Sequence, residues 1–390
     1  MGAGGRASGG AAESAAGAHR AALALVALAI AAGASPACGS GSSSNGNSGS
    51  GSGGGPVDAG GDGVALDAPA GDAFAEGSAA DGDAEAGLPP GVLADGQLGP
   101  SGVALDAAYV YWTNHVGGTV VRCAIGGCGD APTVLASGQV YPAGIAVDAT
   151  GVYWVNEGAS GTDGQVVTCP LAGCAGAPTV IAGAQSFPVN VALDGANVYW
   201  TASGTGATDG SVAQCSKTGC SDSPTVLATG QVEPWGVAVD ATGVYWVTDE
   251  DVGKLLRCDI GGCAGVPTVL ASGYDDSLGL AASPAGIFWT SHGSGQVLVC
   301  APGGCDGGPT VLATGQGGPQ AIAVAGARLY WTNHDAAQVM QCDLPACAGG
   351  PTVLAAGEIA AGGLAADGTH VVWADYGTGA ADGRVVVRAQ

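Results

Sequence analysis

The sequence predicts an all-β fold: a seven-bladed propeller of four-stranded blades over residues 91–390, closed by an N-terminal outer strand that completes the last blade. Three observations carry this. An aromatic–Trp or Val–Trp pair ends at Trp112, Trp154, Trp200, Trp246, Trp289, Trp331 and Trp373, at intervals of 42, 46, 46, 43, 42 and 42 residues. Each interval holds four short β-branched or aromatic bursts and no 3.6-residue apolar period, which selects propeller blades over helical solenoids. The chain ends complement each other. The seventh unit has strands at 363–366, 371–373 and 384–388 but no fourth, while Val92-Leu93-Ala94-Asp95-Gly96-Gln97 repeats the fourth-strand pattern of Val134–Gln139. Joining them removes the sheet edges between first and last blades.

One unit reads completely. Gly144–Asp148 is a first strand of small residues, suited to the crowded inner end of a tapering blade. Val152–Val155 is the second and carries Trp154, whose area is expected to pack on the neighbouring blade. Gln165–Cys169 and Thr179–Ala182 are the third and fourth.

Residues before the repeat differ in kind. Arg6, His19 and Arg20 precede the apolar run Ala21–Ala32, and Ser35-Pro36-Ala37 leads to Cys38. This reads as an export signal over residues 1–37 and resembles a bacterial lipoprotein signal, which implies lipidation of Cys38. Ser35 stands where such signals usually carry Leu, and ordinary signal peptidase would instead leave a secreted protein. Residues 38–90 are first Gly, Ser and Asn, then Ala, Gly and Asp, with eight acidic residues from Asp58 to Glu85. Such a segment cannot bury enough apolar surface to order itself, so a disordered tether is expected.

The repeat itself resembles the YWTD (class B) repeats of the low-density-lipoprotein receptor, through Tyr111-Trp112-Thr113-Asn114, Tyr330-Trp331-Thr332-Asn333 and Pro142–Asp148 followed by Val152-Tyr153-Trp154. The resemblance covers nearly all of 92–390 and implies a propeller used for protein recognition. Asn replaces the Asp of the motif here, and that family has six blades, not seven. Bacterial propellers also include lyases and lactonases, so the fold alone does not assign a function.

Twelve cysteines form six pairs with four residues between partners: Cys123/Cys128, Cys169/Cys174, Cys215/Cys220, Cys258/Cys263, Cys300/Cys305 and Cys342/Cys347. Each brackets the connection between third and fourth strands. In an exported chain these predict six local disulfides, each pinning its own hairpin loop, whereas a metal site would need four ligands. The seventh unit has no pair, with Ala389 expected at the first-Cys position, so Cys38 is the odd cysteine.

Nine basic against 33 acidic residues give a net charge of −24, and residues 91–390 hold 24 acidic and 7 basic, a net of −17. Nucleic-acid binding is excluded by the lack of a cationic footprint. No G-x-S-x-G, H-E-x-x-H, phosphate loop or dinucleotide fingerprint occurs.

Connections from second to third strands, and from fourth strands to the next blade, share one face. One repeat position there holds His115, Glu157, Ser203, Asp249, His292, His334 and Tyr376. His115, Glu157, Asp249, His292, His334 and Tyr376 form the candidate binding rim, since these side chains ligate cations, carry protons or stack. Fourth-strand ends add Gln97, Gln139, Gln185, Gln231, Tyr274, Gln316 and Glu358. The longer loops 158–164, 204–210 and 377–383 break the symmetry, with Asp-Gly at 163, 209 and 382 read as hairpin turns. Asp106, Asp148, Asp194, Asp240 and Asp367 end first strands on the opposite face and predict structural Asx turns.

The functional expectation is an extracytoplasmic lipoprotein, monomeric, touching a membrane only through its anchor and binding a protein or glycan. No cofactor or catalytic residue is assigned, although the rim admits a divalent cation. The alternative is a metal-assisted lyase or hydrolase at that rim.

Overall fold

The computed structural model describes residues 91–390 apart from Ala207, Asp251, Gly303 and Asp306. The expected signal peptide, Cys38 and the tether lie outside the described residues. Among the described residues, 28 strands form seven four-stranded antiparallel sheets, and none is helical. Blade 1 runs outward from the axis as Pro100–Leu105, Tyr109–Asn114, Thr119–Ala124 and Thr133–Ala136. The last blade is composite: Ala361–Ala366, His370–Asp375 and Ala381–Ala389 are completed by Val92–Leu98, with Val92 opposite Val386 and Ala94 opposite Val385. The expected closure is therefore observed.

First strands begin two residues earlier than the pattern suggested, at Pro100, Pro142, Pro188, Pro234 and Pro319. Proline suits a first strand residue because it has no N–H to leave unpaired. Two residues then bulge before regular pairing resumes, as between Pro142 and Ile145. That bulge brings adjacent blades together near the axis. A Cβ on Gly144 would meet the Asn190 Cα at 2.7 Å, and one on Gly236 the Leu278 carbonyl at 2.5 Å. Only glycine allows this approach.

The core lies between blades. All seven repeat tryptophans are fully buried, and each packs on the preceding blade: Trp154 clusters with Leu135 and Ala136, Trp112 with Leu93 and Ala94 across the closure seam. A buried tryptophan removes roughly 150–250 Å² from water, about 4–6 kcal/mol at most. An indole N–H buried without an acceptor would cost about 1–3 kcal/mol of that. The preceding blade supplies the acceptor. Trp112, Trp154, Trp200, Trp246 and Trp331 donate to the side-chain oxygens of Gln97, Gln139, Gln185, Gln231 and Gln316, at 3.2, 3.3, 2.9, 3.0 and 3.1 Å.

The other letters of the motif have equally specific partners. The Thr113 hydroxyl accepts from the Gly102 N–H and donates to the Ala143 carbonyl of the next blade at 2.7 Å. Thr290 and Thr332 repeat that bridge to Gln320 and Gly362. Asn114, Asn156 and Asn333 donate to the same glutamine oxygens as the indoles. Tyr111 and Tyr199 donate to Asp106 and Asp194 on the far face. Burial and these carboxylates push both phenols up to about 12. The carboxylates also accept backbone N–H bonds two and three residues on, the Asx turns expected there.

All six expected disulfides are formed: Cys123–Cys128, Cys169–Cys174, Cys215–Cys220, Cys258–Cys263, Cys300–Cys305 and Cys342–Cys347. Each closes its own hairpin as expected, and the second cysteine also docks the turn onto the preceding blade. It does so in three ways. Cys128 Sγ lies 3.7 Å from the Leu93 carbonyl, and Cys220 and Cys263 reach Ile181 and Leu227 in the same way. Cys174 uses its backbone instead, donating its N–H to the Leu135 carbonyl at 3.2 Å. Cys305 and Cys347 dock by apolar packing: Cys305 sits against the seam of Ala271 and Trp289, and Cys347, itself buried, joins the seam of Leu312 and Trp331.

The last blade departs from expectation by one residue. Val371 pairs with Arg388 as Val110 pairs with Cys123, so Arg388, not Ala389, holds the cysteine position. Its guanidinium donates to the Leu354 carbonyl at 2.6 Å, a cation taking over the disulfide's contact.

Gln185 bonds the indole of Trp200 with no second side chain sharing its oxygen. Gln185→Ala is therefore expected to lower stability by about 1–3 kcal/mol, measured by denaturant unfolding. A loss near zero would mean that water replaces the acceptor.

Candidate functional site

Two residues per blade build the rim around the axis. The first is the residue before each first strand: Gly99, Tyr141, Phe187, Glu233, Asp276, Gly318 and Ala360. All seven have left-handed backbone, with φ between 38 and 65°. The second is the position singled out in the sequence. Its N–H donates to the carbonyl of the first in every blade: His115 to Gly99, Glu157 to Tyr141, Ser203 to Phe187, Asp249 to Glu233, His292 to Asp276, His334 to Gly318 and Tyr376 to Ala360, at 2.8–3.4 Å. One backbone bond per blade thus pins both positions together. The left-handed turn is imposed by the ring, because it recurs whether or not the residue is glycine.

Inside this rim lies an axial cavity of about 360 Å³, lined by first-strand residues of all seven blades and by His115, Glu157, His334 and Tyr376. Asp249 and His292 stand on the rim but do not line it. The eighth tryptophan, Trp235, lies outside the repeat position and lines the cavity. The fourth-strand glutamines do not offer free amides to a ligand, since their oxygens hold the tryptophans.

Side-chain chemistry divides the rim into three sectors. In the first, His115 Nε2 and Glu157 Oε2 are 3.5 Å apart, and the His115 ring rests on Tyr141 with centroids 5.2 Å apart. Burial, with the Glu157 charge, pushes the nearby Tyr376 phenol up to about 12.

The second sector is acidic: Glu233, Asp249, Asp275 and Asp276. Asp249 is 1% exposed, and Asp276 is also buried. Asp249 Oδ1 and Glu233 Oε2 are buried with no hydrogen-bond partner among the described residues. Burial, then the hydrogen bond and charge of Asp276, then the charges of Glu233 and Asp275, push the Asp249 carboxyl up to about 9. Lys254 neutralises the adjacent Glu250 at 2.7 Å. The third sector is His292, His334 and Asp335. Asp335 lies 3.1 Å from His334 Nδ1 and 3.6 Å from His292 Nε2.

Sequence reasoning found the rim position but missed Glu233, Asp275, Asp276, Asp335 and Trp235. A signal for three of them existed. Glu233 and Trp235 flank Pro234, and Asp276 precedes Ser277, which starts its strand, so aligning the units on the first residue of each first strand, proline in five of seven, would have exposed a second variable position.

The longer loops are closed differently from the expected hairpin turns. Gly164, Gly210 and Gly383 already belong to strands. The aspartate before each folds back instead: Asp163 accepts from the N–H groups of Ala159 and Ser160, Asp209 from Thr205 and Gly206, Asp382 from Thr378. Those backbone bonds hold the Asp163 and Asp209 carboxyls below the ordinary range. A side-chain clasp thus sets each loop, and a Cβ on Gly161 would meet the Phe187 ring at 2.6 Å.

No family model and no curated protein matches the chain. Solved structures do match in fold. A streptogramin B lyase is 11% identical, with a TM-score of 0.60 over 77% of this chain and 96% of that one. Virginiamycin B lyase from Staphylococcus aureus is 12% identical, with a TM-score of 0.57 over 74% and 94%. Hydrazine synthase of Kuenenia stuttgartiensis is 15% identical, with a TM-score of 0.56 over 78% and 99%. At these identities the likeness is one of propeller architecture.

The acidic sector has a pH signature. A carboxyl whose folded value lies near 9, against an ordinary 3.8, binds its proton more tightly folded than unfolded. Its contribution to stability therefore falls as pH rises through that window. Asp249→Asn is expected to flatten this dependence and to be more stable than the parent at the alkaline end, measured by urea unfolding across pH. A parent whose stability rises steadily with pH there would contradict the assignment.

Proposed function

We propose that the protein is an extracytoplasmic binding module whose channel mouth receives a basic group presented by a protein partner. The observation that carries this is the rim position before the first strands. Glycine fits its left-handed turn without strain, as at Gly99 and Gly318, yet Tyr141, Phe187, Glu233 and Asp276 occupy it at φ 38–52°. Each such residue costs of order 1–3 kcal/mol. The ring imposes that conformation, on Ala360 as well, and four of the five non-glycine side chains it places at the mouth are aromatic or acidic. With Trp235 and Tyr376 they place negative charge and π faces around one opening, the combination that attracts and stacks an ammonium or guanidinium.

A second reading, a metal-assisted lyase or hydrolase at the same mouth, is favoured by the His115–Glu157 pair, an imidazole–carboxylate couple in the cavity. The binding reading needs no reaction, and the acidic sector has no role in the other.

The six disulfides support an oxidising compartment. Among the described residues no helix is long and apolar enough to cross a membrane. Export on the N-terminal signal, lipidation of Cys38 and display on the 38–90 tether complete the proposal.

Two measurements test it. Immobilised full-length protein is offered peptides bearing Lys or Arg and the same peptides with those groups acetylated or replaced by citrulline. Retention of the basic set alone, weakened by salt and lost in the Glu233→Gln/Asp276→Asn double variant, is expected. Equal retention of both sets would sink the reading. For the anchor, mass spectrometry of the protein from its native envelope is expected to find a diacylglyceryl-modified Cys38 at the N-terminus, and an unmodified terminus there would overturn lipidation.

A further inference from the structure

His292 and His334 occupy the same repeat position in adjacent blades, each held by its backbone bond to the residue before the strand. Asp335 follows His334 and reaches between them. One ligand atom from each residue lies within 4.8 Å of the other two. The separations bear on what fits there. Zinc ligands sit about 2.0–2.1 Å from the metal in a tetrahedron, which puts neighbouring ligand atoms roughly 3.3–3.4 Å apart. His334 Nδ1 to Asp335 Oδ1 is 3.1 Å and His292 Nε2 to Asp335 Oδ2 is 3.6 Å, each near that spacing, with the two imidazoles facing different oxygens of the one carboxylate.

Gly318 supplies a second, independent observation. Its φ of 65° does not by itself require glycine, because Tyr141, Phe187, Glu233, Asp276 and Ala360 adopt the equivalent conformation. Space does. A Cβ on Gly318 would meet His292 Nε2 at 2.7 Å and Asp335 Oδ2 at 2.7 Å, two of the converging atoms themselves. Any side chain at this position would press on those atoms, and glycine leaves them undisturbed.

We infer that His292, His334 and Asp335 form a binding site for one divalent cation of the zinc class at the channel mouth. Two imidazoles and one carboxylate favour zinc, cobalt or nickel over calcium or magnesium, which take mainly oxygen ligands. Three protein ligands leave a coordination position open. His334 also lines the axial cavity, so a group seated in that cavity would have access to the open position. The net charge of −17 over residues 91–390 raises the local concentration of any cation. This site does not depend on the basic partner proposed above, which is assigned to the acidic sector.

The test is zinc titration by calorimetry of the full chain without a polyhistidine tag, with cobalt as a spectroscopic substitute. One zinc per chain and a tetrahedral cobalt visible spectrum are expected. His292→Gln and Asp335→Asn are each expected to weaken binding by about tenfold or more. Gly318→Ala, which keeps every ligand and takes a residue tolerated at position 360, is expected to do the same through its Cβ alone. His370→Gln, on the opposite face, is expected to bind as the parent does. Absence of zinc binding in the parent would overturn the inference. So would binding undiminished in His292→Gln and Asp335→Asn, which would place the ion elsewhere, for example in the acidic sector.

Discussion

The buried indole N–H of the repeat tryptophan is the constraint on which the rest of the molecule depends. Each tryptophan stabilises the wedge between two blades through its buried area, but it does so without loss only where the preceding blade ends in an acceptor. Gln97, Gln139, Gln185, Gln231 and Gln316 provide one. These acceptors come from the blade before, although Trp154 also donates to Asn156 of its own blade at 3.1 Å, so most blades settle their tryptophan only against a neighbour in place. At Trp112 the neighbour is the N-terminal strand, and the same bond locks the ring shut.

Two seams replace the glutamine with other chemistry. Trp373 donates to Glu358, whose buried carboxylate faces Arg384, which also pairs with Asp375 at 2.6 Å. Burial raises the Asp375 carboxyl, and the Arg384 hydrogen bond and charge offset only part of that rise. Tyr274, just after strand Thr268–Ser272, stands in the glutamine position of the blade before Trp289 and meets that ring edge-on, 5.7 Å between centroids. Arg388 replaces a disulfide by donating to the carbonyl such a bridge would approach. The scaffold thus tolerates changed chemistry wherever the contact itself survives.

That tolerance explains the rim. Its backbone bonds are identical in all seven blades, so side chains there vary without disturbing the ring. A symmetric frame consequently presents an asymmetric mouth, with an imidazole–carboxylate pair, an acidic cluster and a second imidazole–carboxylate group set around one axis. Trp235, Asp249 and Asp276 are departures from the repeat, and departures on a rigid frame are where specificity is built.

The sequence alone determined the architecture of this protein, because tryptophan spacing, strand-like bursts and complementary chain ends are local patterns repeated seven times. It also determined the disulfides, whose partners are near neighbours, and one of the two rim positions. Only the tertiary structure decided which rim residues meet. Glu233 and Asp249, or His292 and Asp335, are brought together by a turn conformation and a blade-to-blade angle that no single repeat encodes. It likewise decided that Cys174, Cys305 and Cys347 lean on the blade before their own, and that the glutamines serve the core and not the ligand face, since both depend on where the neighbouring blade arrives. Residues acting within one blade were legible; those acting across two became so only once the ring had closed.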